Sequence, residues 1–187
     1  MGRLVAGFGV NDVDYVISYC PYYSVWHSMV KRCYLLTQRR ADSYYGVASV
    51  CEEWKYFSNF KSWMEKQDWR GKHLDKDLKV VGNKVYSPDT CLFITNQVNQ
   101  FLKTNSGRSL QEGMPTGVRW KKQNKKYVAG IRDFRTGKTT HIGYYDKVED
   151  AESAYKYKKL ELATAMARLD DNLNIAEYLL KHYSITV

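Results

Sequence analysis

Between Arg119 and His141 the chain sets Arg119, Lys121, Lys122, Lys125, Lys126, Arg132, Arg135 and Lys138 against one acid, Asp133, a local charge of 8 − 1 = +7. A guanidinium can read a guanine edge through two parallel hydrogen bonds, whereas an ammonium acts as a point charge on phosphate. The cluster is therefore either a nucleic-acid face or a solvated surface, and its density in 23 residues leaves both readings open. Cys20, Cys33, Cys51 and Cys91 could supply four thiolates to a structural zinc ion, but no pair has the close C-x₂-C spacing of such sites. Buried free thiols are the reading that this spacing favours. His27, His73, His141 and His182 likewise lack the spacing of a ligand pair.

The elements that must position these groups follow from periodicity. At 187 residues, 44% hydrophobic and 26% charged, with 3 prolines and 12 glycines, the chain is globular in composition and long enough for one or two domains. The whole chain carries 29 − 20 = +9 and a pI near 9.3, which points to a polyanionic partner. No apolar run approaches a membrane span and no signal peptide is read, so no membrane partner and a reducing cytoplasm are expected.

Residues 104–116 have the composition of a linker. Before it, Pro21 at a first turn and Val25, Trp26, Met29, Val30, Cys33 and Tyr34 predict a helix over about 21–36. Trp54, Phe57, Phe60, Trp63 and Met64 predict a second short helix whose aromatic stripe is core. LDKDLKVV and KVYS flank Gly82-Asn83 as a two-residue type II′ hairpin, and Val98, Phe101 and Leu102 mark a helix after Thr95.

After the linker, strands are expected over 117–121, 127–133 and 138–144. A long helix follows over 148–169, with Val148, Ala151, Ala154, Tyr155, Lys158, Leu162 and Ala165 on one face, and a last helix over 173–182. The fold class is α+β. A three-stranded antiparallel sheet covered on one face by a helix can lay its other face in a DNA major groove.

GVRW, KKYVAGIRD and HIGYYDKVEDAESAYKY resemble the plant apetala/ethylene-response DNA-binding domain over about residues 117–158. The resemblance implies duplex-DNA contacts at Arg119, Lys121, Lys126, Arg132, Thr139 and His141. Gly130 stands where that family typically has a base-reading Glu, and His141 where it has a third-strand Trp, so sequence preference should differ.

LDKDLKVVGNKVYSPDTCLFITNQVN resembles the core of phage His-Asn-His (HNH) endonucleases, which implies a ββα-metal module over 1–103, a 104–116 linker and an apetala-type domain over 117–187. Carried over by position, Asp75 and Asn99 would hold one Mg²⁺, Asn83 matches the family's turn asparagine, and Lys76 occupies the position of the general-base His. A lysine with an ordinary pKa near 10.4 is a poor base at pH 7, which leaves His73 on the adjacent strand as the alternative. Two functions stand at this point: a site-directed, Mg²⁺-dependent DNA endonuclease of the phage homing type, or a catalytically silent HNH-like DNA-binding regulator. Monomer and homodimer are both open.

Overall fold

The computed structural model describes residues 2–36, 45–103, 113–169 and 172–184. The linker read at 104–116 lies outside the described residues as far as residue 112. The chain is α+β and divides into two compact units, Met1–Thr95 and Asn96–Val187. No helix among the described residues is long and apolar enough to cross a membrane.

The first unit opens with an antiparallel hairpin of β1 (Arg3–Val5) and β2 (Gly9–Asn11), followed by α1 (Pro21–Tyr34) with Pro21 in its first turn, as its fixed φ suits. Its core is aromatic: Trp26, Trp54, Phe57 and Phe60 have no exposed surface, and Trp26 Nε1 donates 2.7 Å to the Trp54 carbonyl. The stripe expected from Trp54 to Met64 is thus core, carried by a 3₁₀ turn (Glu53–Lys55) and α2 (Phe57–Met64). Asp12 caps α2 from outside, accepting from the Ser58 amide at 3.0 Å and from the Ser58 hydroxyl at 2.5 Å.

The strand pairing of this unit differs from the expected hairpin. β4 (His73–Asp75) pairs antiparallel with β6 (Leu92–Ile94), while β5 (Val85–Tyr86) pairs parallel with β3 (Ser49–Val50). LDKDLKVV and KVYS therefore do not face each other across Gly82-Asn83. The reason is local: the Asn83 amide donates 3.1 Å to the Val80 carbonyl, which puts Gly82, at φ +76°, third in a four-residue turn. Positive φ at that position belongs to a type II turn, whereas a II′ hairpin needs it one residue earlier.

The second unit begins with α3 (Asn96–Leu102), which the sequence reading had placed in the first module. The Lys159 ammonium explains the change, donating 2.6 Å to the Phe101 carbonyl from the long helix of this unit. The unit continues with the antiparallel sheet β7 (Val118–Lys121), β8 (Lys126–Arg132) and β9 (Thr139–Tyr145), in that spatial order, then α4 (Val148–Ala167) and α5 (Leu173–Ser184). Small residues let helix and sheet approach: Ala129 and Ala151 are fully buried beside Val118, with Tyr127, Ile142, Tyr145 and Val148 packed around them. Glu149 and Asp150 lie in the first turn of α4, where negative charge complements the helix dipole. On its other side α4 meets α5, and Leu162, Ile175 and Leu179 are fully enclosed. The lysine on the inner face of α4 is Lys159, 8% exposed; Lys158, assigned there from periodicity, instead pairs with Glu161 at 2.7 Å.

Candidate nucleic-acid interface

Register decides which side chains share a face of the sheet. Val118, Trp120, Tyr127, Ala129 and Tyr145 belong to the face under α4, and residues one position away project oppositely. Across the strands Arg119 pairs with Val128 and Val128 with Tyr144, Lys121 with Lys126, Gly130 with His141, and Arg132 with Thr139. All six residues expected to contact DNA, Arg119, Lys121, Lys126, Arg132, Thr139 and His141, are therefore brought together on the face that α4 does not cover. Arg119, Arg132, Thr139 and His141 are exposed, and Lys121 and Lys126 are half-buried.

A residue that the sequence reading missed completes this face. Tyr144, 45% exposed, has its ring centroid 4.7 Å from that of His141, and its hydroxyl accepts from Lys121 Nζ at 3.1 Å. Strict alternation along β9 would send Tyr144 and His141 to opposite faces. A register shift beside Ala129 and Gly130 leaves Ile142 as the extra residue, which restores Tyr144 to the open side.

Some of the local +7 is answered within the chain. Arg135 forks onto Asp133 through Nη2 at 2.6 Å and Nε at 2.9 Å, and this guanidinium holds the Asp133 carboxyl at about 2. Lys126 Nζ lies 2.7 Å from a carboxylate oxygen of Asp146. Among the described residues, no such acid pairs with Arg119, Lys121 or Arg132 on the open face.

Beside the sheet, a cavity of about 390 Å³ is lined by α3 residues Asn96 and Gln100, by Arg132 and Phe134, and by Tyr155 and Lys159 of α4. Burial lowers the Lys159 amine to about 8, and Phe101 and Tyr183 rings stand 3.7 Å and 5.3 Å from it.

In the first unit, the segment that resembles an HNH core is held by its own polar side chains. Asp75 Oδ1 accepts the Asp77 and Leu78 amides at 2.9 and 2.8 Å, which leaves Oδ2 as its donor towards a cation. Burial pushes the Asp75 carboxyl up from its ordinary value. Lys76 is buried, with Nζ 2.6 Å from Asp77 Oδ1 and 3.3 Å from the Asn83 carbonyl. Asn83 Nδ2 donates to the carbonyls of Lys76 and Val85 at 2.8 and 2.7 Å, and its Oδ1 accepts the Val85 amide at 3.1 Å. Lys76 and Asn83 thus close the 76–85 loop.

His73 is exposed and, two residues from Asp75, projects from the same side of β4. Asn99, the second expected metal ligand, lies on α3 in the other unit. A lone Asp75 oxygen fits Mg²⁺ in one respect, since this ion keeps several waters and is often anchored through one or two carboxylates and substrate phosphates.

All four cysteines are free thiols. Burial raises Cys33 to about 11 and Cys91 to about 12. No group of three or more His, Cys, Asp or Glu able to hold a metal ion occurs among the described residues. No protein-family model, no curated protein and no solved structure matches this chain.

Proposed function

We propose that the chain is a site-directed, duplex-DNA-binding protein that docks the open face of the β7–β8–β9 sheet in the major groove. The observation that carries this reading is the convergence of Arg119, Lys121, Lys126, Arg132, Thr139 and His141 on one uncovered face of a twisted, helix-backed sheet. Two guanidinium groups there suit base edges, and the lysines suit phosphates. A-form RNA, whose major groove is deep and narrow, would not admit such a face.

Binding by the full-length protein should weaken steeply with salt as counterions are released. Arg132→Ala should cost about 1–3 kcal/mol and relax preference at one base pair. Lys121→Ala should weaken all duplexes about equally. Asp146→Asn, by freeing Lys126, should tighten all of them by about 0.2–1 kcal/mol. Fluorescence anisotropy across a panel of labelled duplexes at several salt concentrations measures all four effects. Loss from Arg132→Ala that is independent of sequence would remove its role as a reader, and salt-independent binding would remove the interface.

In the first unit, the commitment of Lys76 to Asp77 and of Asn83 to the loop backbone favours a catalytically silent HNH-like module over an endonuclease. The endonuclease reading keeps one supporting observation, His73 and Asp75 on the same side of β4. There His73 would be the base and Asp75 the anchor for Mg²⁺, which when bound polarises the phosphodiester and acidifies its water. In the silent module, supercoiled plasmid stays intact with Mg²⁺ as with EDTA. Scission that requires Mg²⁺ and disappears in Asp75→Ala and in His73→Ala, with DNA affinity retained, would replace the silent reading with the enzyme.

A further inference from the structure

A second basic cluster lies far from the sheet in sequence, at the N-terminal hairpin. Ser24, His27 and Lys31 follow one another at helical spacing along one stripe of α1. Arg3 on β1 is two residues from Val5, so both side chains leave the strand on the same side, and Val5 is buried in the core to which α1 contributes. Between the two elements is a cavity of about 510 Å³, whose polar lining is Arg3, Ser18, Tyr23, Ser24, His27 and Lys31. None of the residues that line it is acidic.

That composition is costly for an empty surface. Burial first, and then the charges of Lys31 and Arg3, lower the pKa of His27, so both cations stand close enough to oppose its protonation. Elsewhere in the same unit lysines meet carboxylates: Lys55 with Glu52 at 3.8 Å, Lys61 with Glu65 at 3.6 Å and Lys72 with Asp68 at 2.5 Å. Among the described residues no acid lines the cavity, so an anion from outside the chain would balance its charge. Arginine offers a planar fork, lysine a point charge, and the Ser18 and Tyr23 hydroxyls neutral donors, which together suit a tetrahedral oxyanion better than a planar carboxylate. His27 is held against the Tyr23 ring, with centroids 5.3 Å apart and planes 25° from parallel, so its imidazole is presented in a fixed orientation.

We propose that the cavity between β1 and α1 is a binding site for a phosphate group, held by Arg3, His27 and Lys31. The site belongs to the first unit and does not depend on the DNA-reading role of the sheet. Bound phosphate reverses the field at His27: the anion stabilises the imidazolium that Arg3 and Lys31 otherwise disfavour, and the ring takes up a proton as the site fills.

The test is an NMR titration of the histidine Cε1–H signals of the full-length protein against pH, in inorganic phosphate and in chloride at matched ionic strength. His27 should titrate at least about half a unit higher in phosphate than in chloride. Lys31→Gln should raise the His27 midpoint in chloride and, combined with Arg3→Gln, abolish the response to phosphate. Identical His27 titrations in phosphate and chloride would overturn the site on the unmodified protein, whatever the variants do. A response equal in the double variant would overturn the assignment to these residues. A further arm replaces phosphate with duplex DNA: a His27 response that inorganic phosphate competes away identifies a backbone phosphate as the source. A response to phosphate without one to DNA identifies a free phosphate or phosphomonoester.

Discussion

Gly117→Ala is expected to destabilise the second unit by about 2–5 kcal/mol, enough to remove most of the stability of a small domain. Gly117 has φ +77°, where a Cβ costs about 1–2 kcal/mol against the following carbonyl. A Cβ built there would also fall inside the Tyr155 ring, which α4 lays over the start of β7. Forcing that ring aside adds overpacking of about 1–3 kcal/mol. The Gly117 carbonyl accepts the Gly130 amide at 2.9 Å, so the displaced backbone would also pull on the central strand. Hydrogen exchange of the Val128 and Ala129 amides in the full-length protein measures the loss where it arises. A change below about 0.5 kcal/mol, the level of an ordinary surface substitution, would mean that Tyr155 does not close over this glycine.

Lys159 provides the other large effect, as a dependence of stability on pH. Burial lowers its amine from an ordinary 10.5 to about 8, and among the described residues it meets a carbonyl and two rings but no carboxylate. Below pH 8 the amine is protonated in both folded and unfolded chains, and the folded state bears the full desolvation cost. Between pH 8 and 10.5 the unfolded chain binds the proton and the folded one does not, so stability rises with pH. Over that window the amine contributes about 3 kcal/mol of rise. Tyr155 and Tyr183, whose hydroxyls burial pushes up, act in the opposite sense above pH 10, so the rise is best read between pH 8 and 10. Urea unfolding of the second unit should show it in the parent chain and not in Lys159→Met. An identical pH slope in the variant would assign the rise to another group.

Much of the second unit is legible in the chain, because its elements are local. The three strands are bounded by polar turns, and the helix after Lys147 is long, so the observed edges fall within one or two residues of those expected. Identity of the open-face residues is legible too, since period-two spacing on β7 and the start of β8 separates Arg119 and Lys121 from Val118 and Trp120. In the first unit, the aromatic spacing from Trp54 to Met64 declares a core because no other use of five large side chains at helical period is as favourable.

What period and composition determined is which segments bury and which stay wet: burial free energy scales with local apolar area, and that is written residue by residue. Partner choice was decided only in three dimensions. The β4–β6 and β3–β5 pairs join segments that no short-range signal connects, and Asn83, satisfied by the loop, turned an expected hairpin into a type II turn. One extra residue at Ile142 moved Tyr144 to the face of His141, because side-chain direction depends on the count of paired residues rather than on the count along the chain. Lys159 is buried and Lys158 is not, since a 20-residue helix packed between a sheet and α5 exposes little of its circumference, and only the packed neighbours define where that strip lies. Lys76, a candidate for catalysis when read alone, is seen only in three dimensions to be buried and in contact with Asp77 and the Asn83 carbonyl.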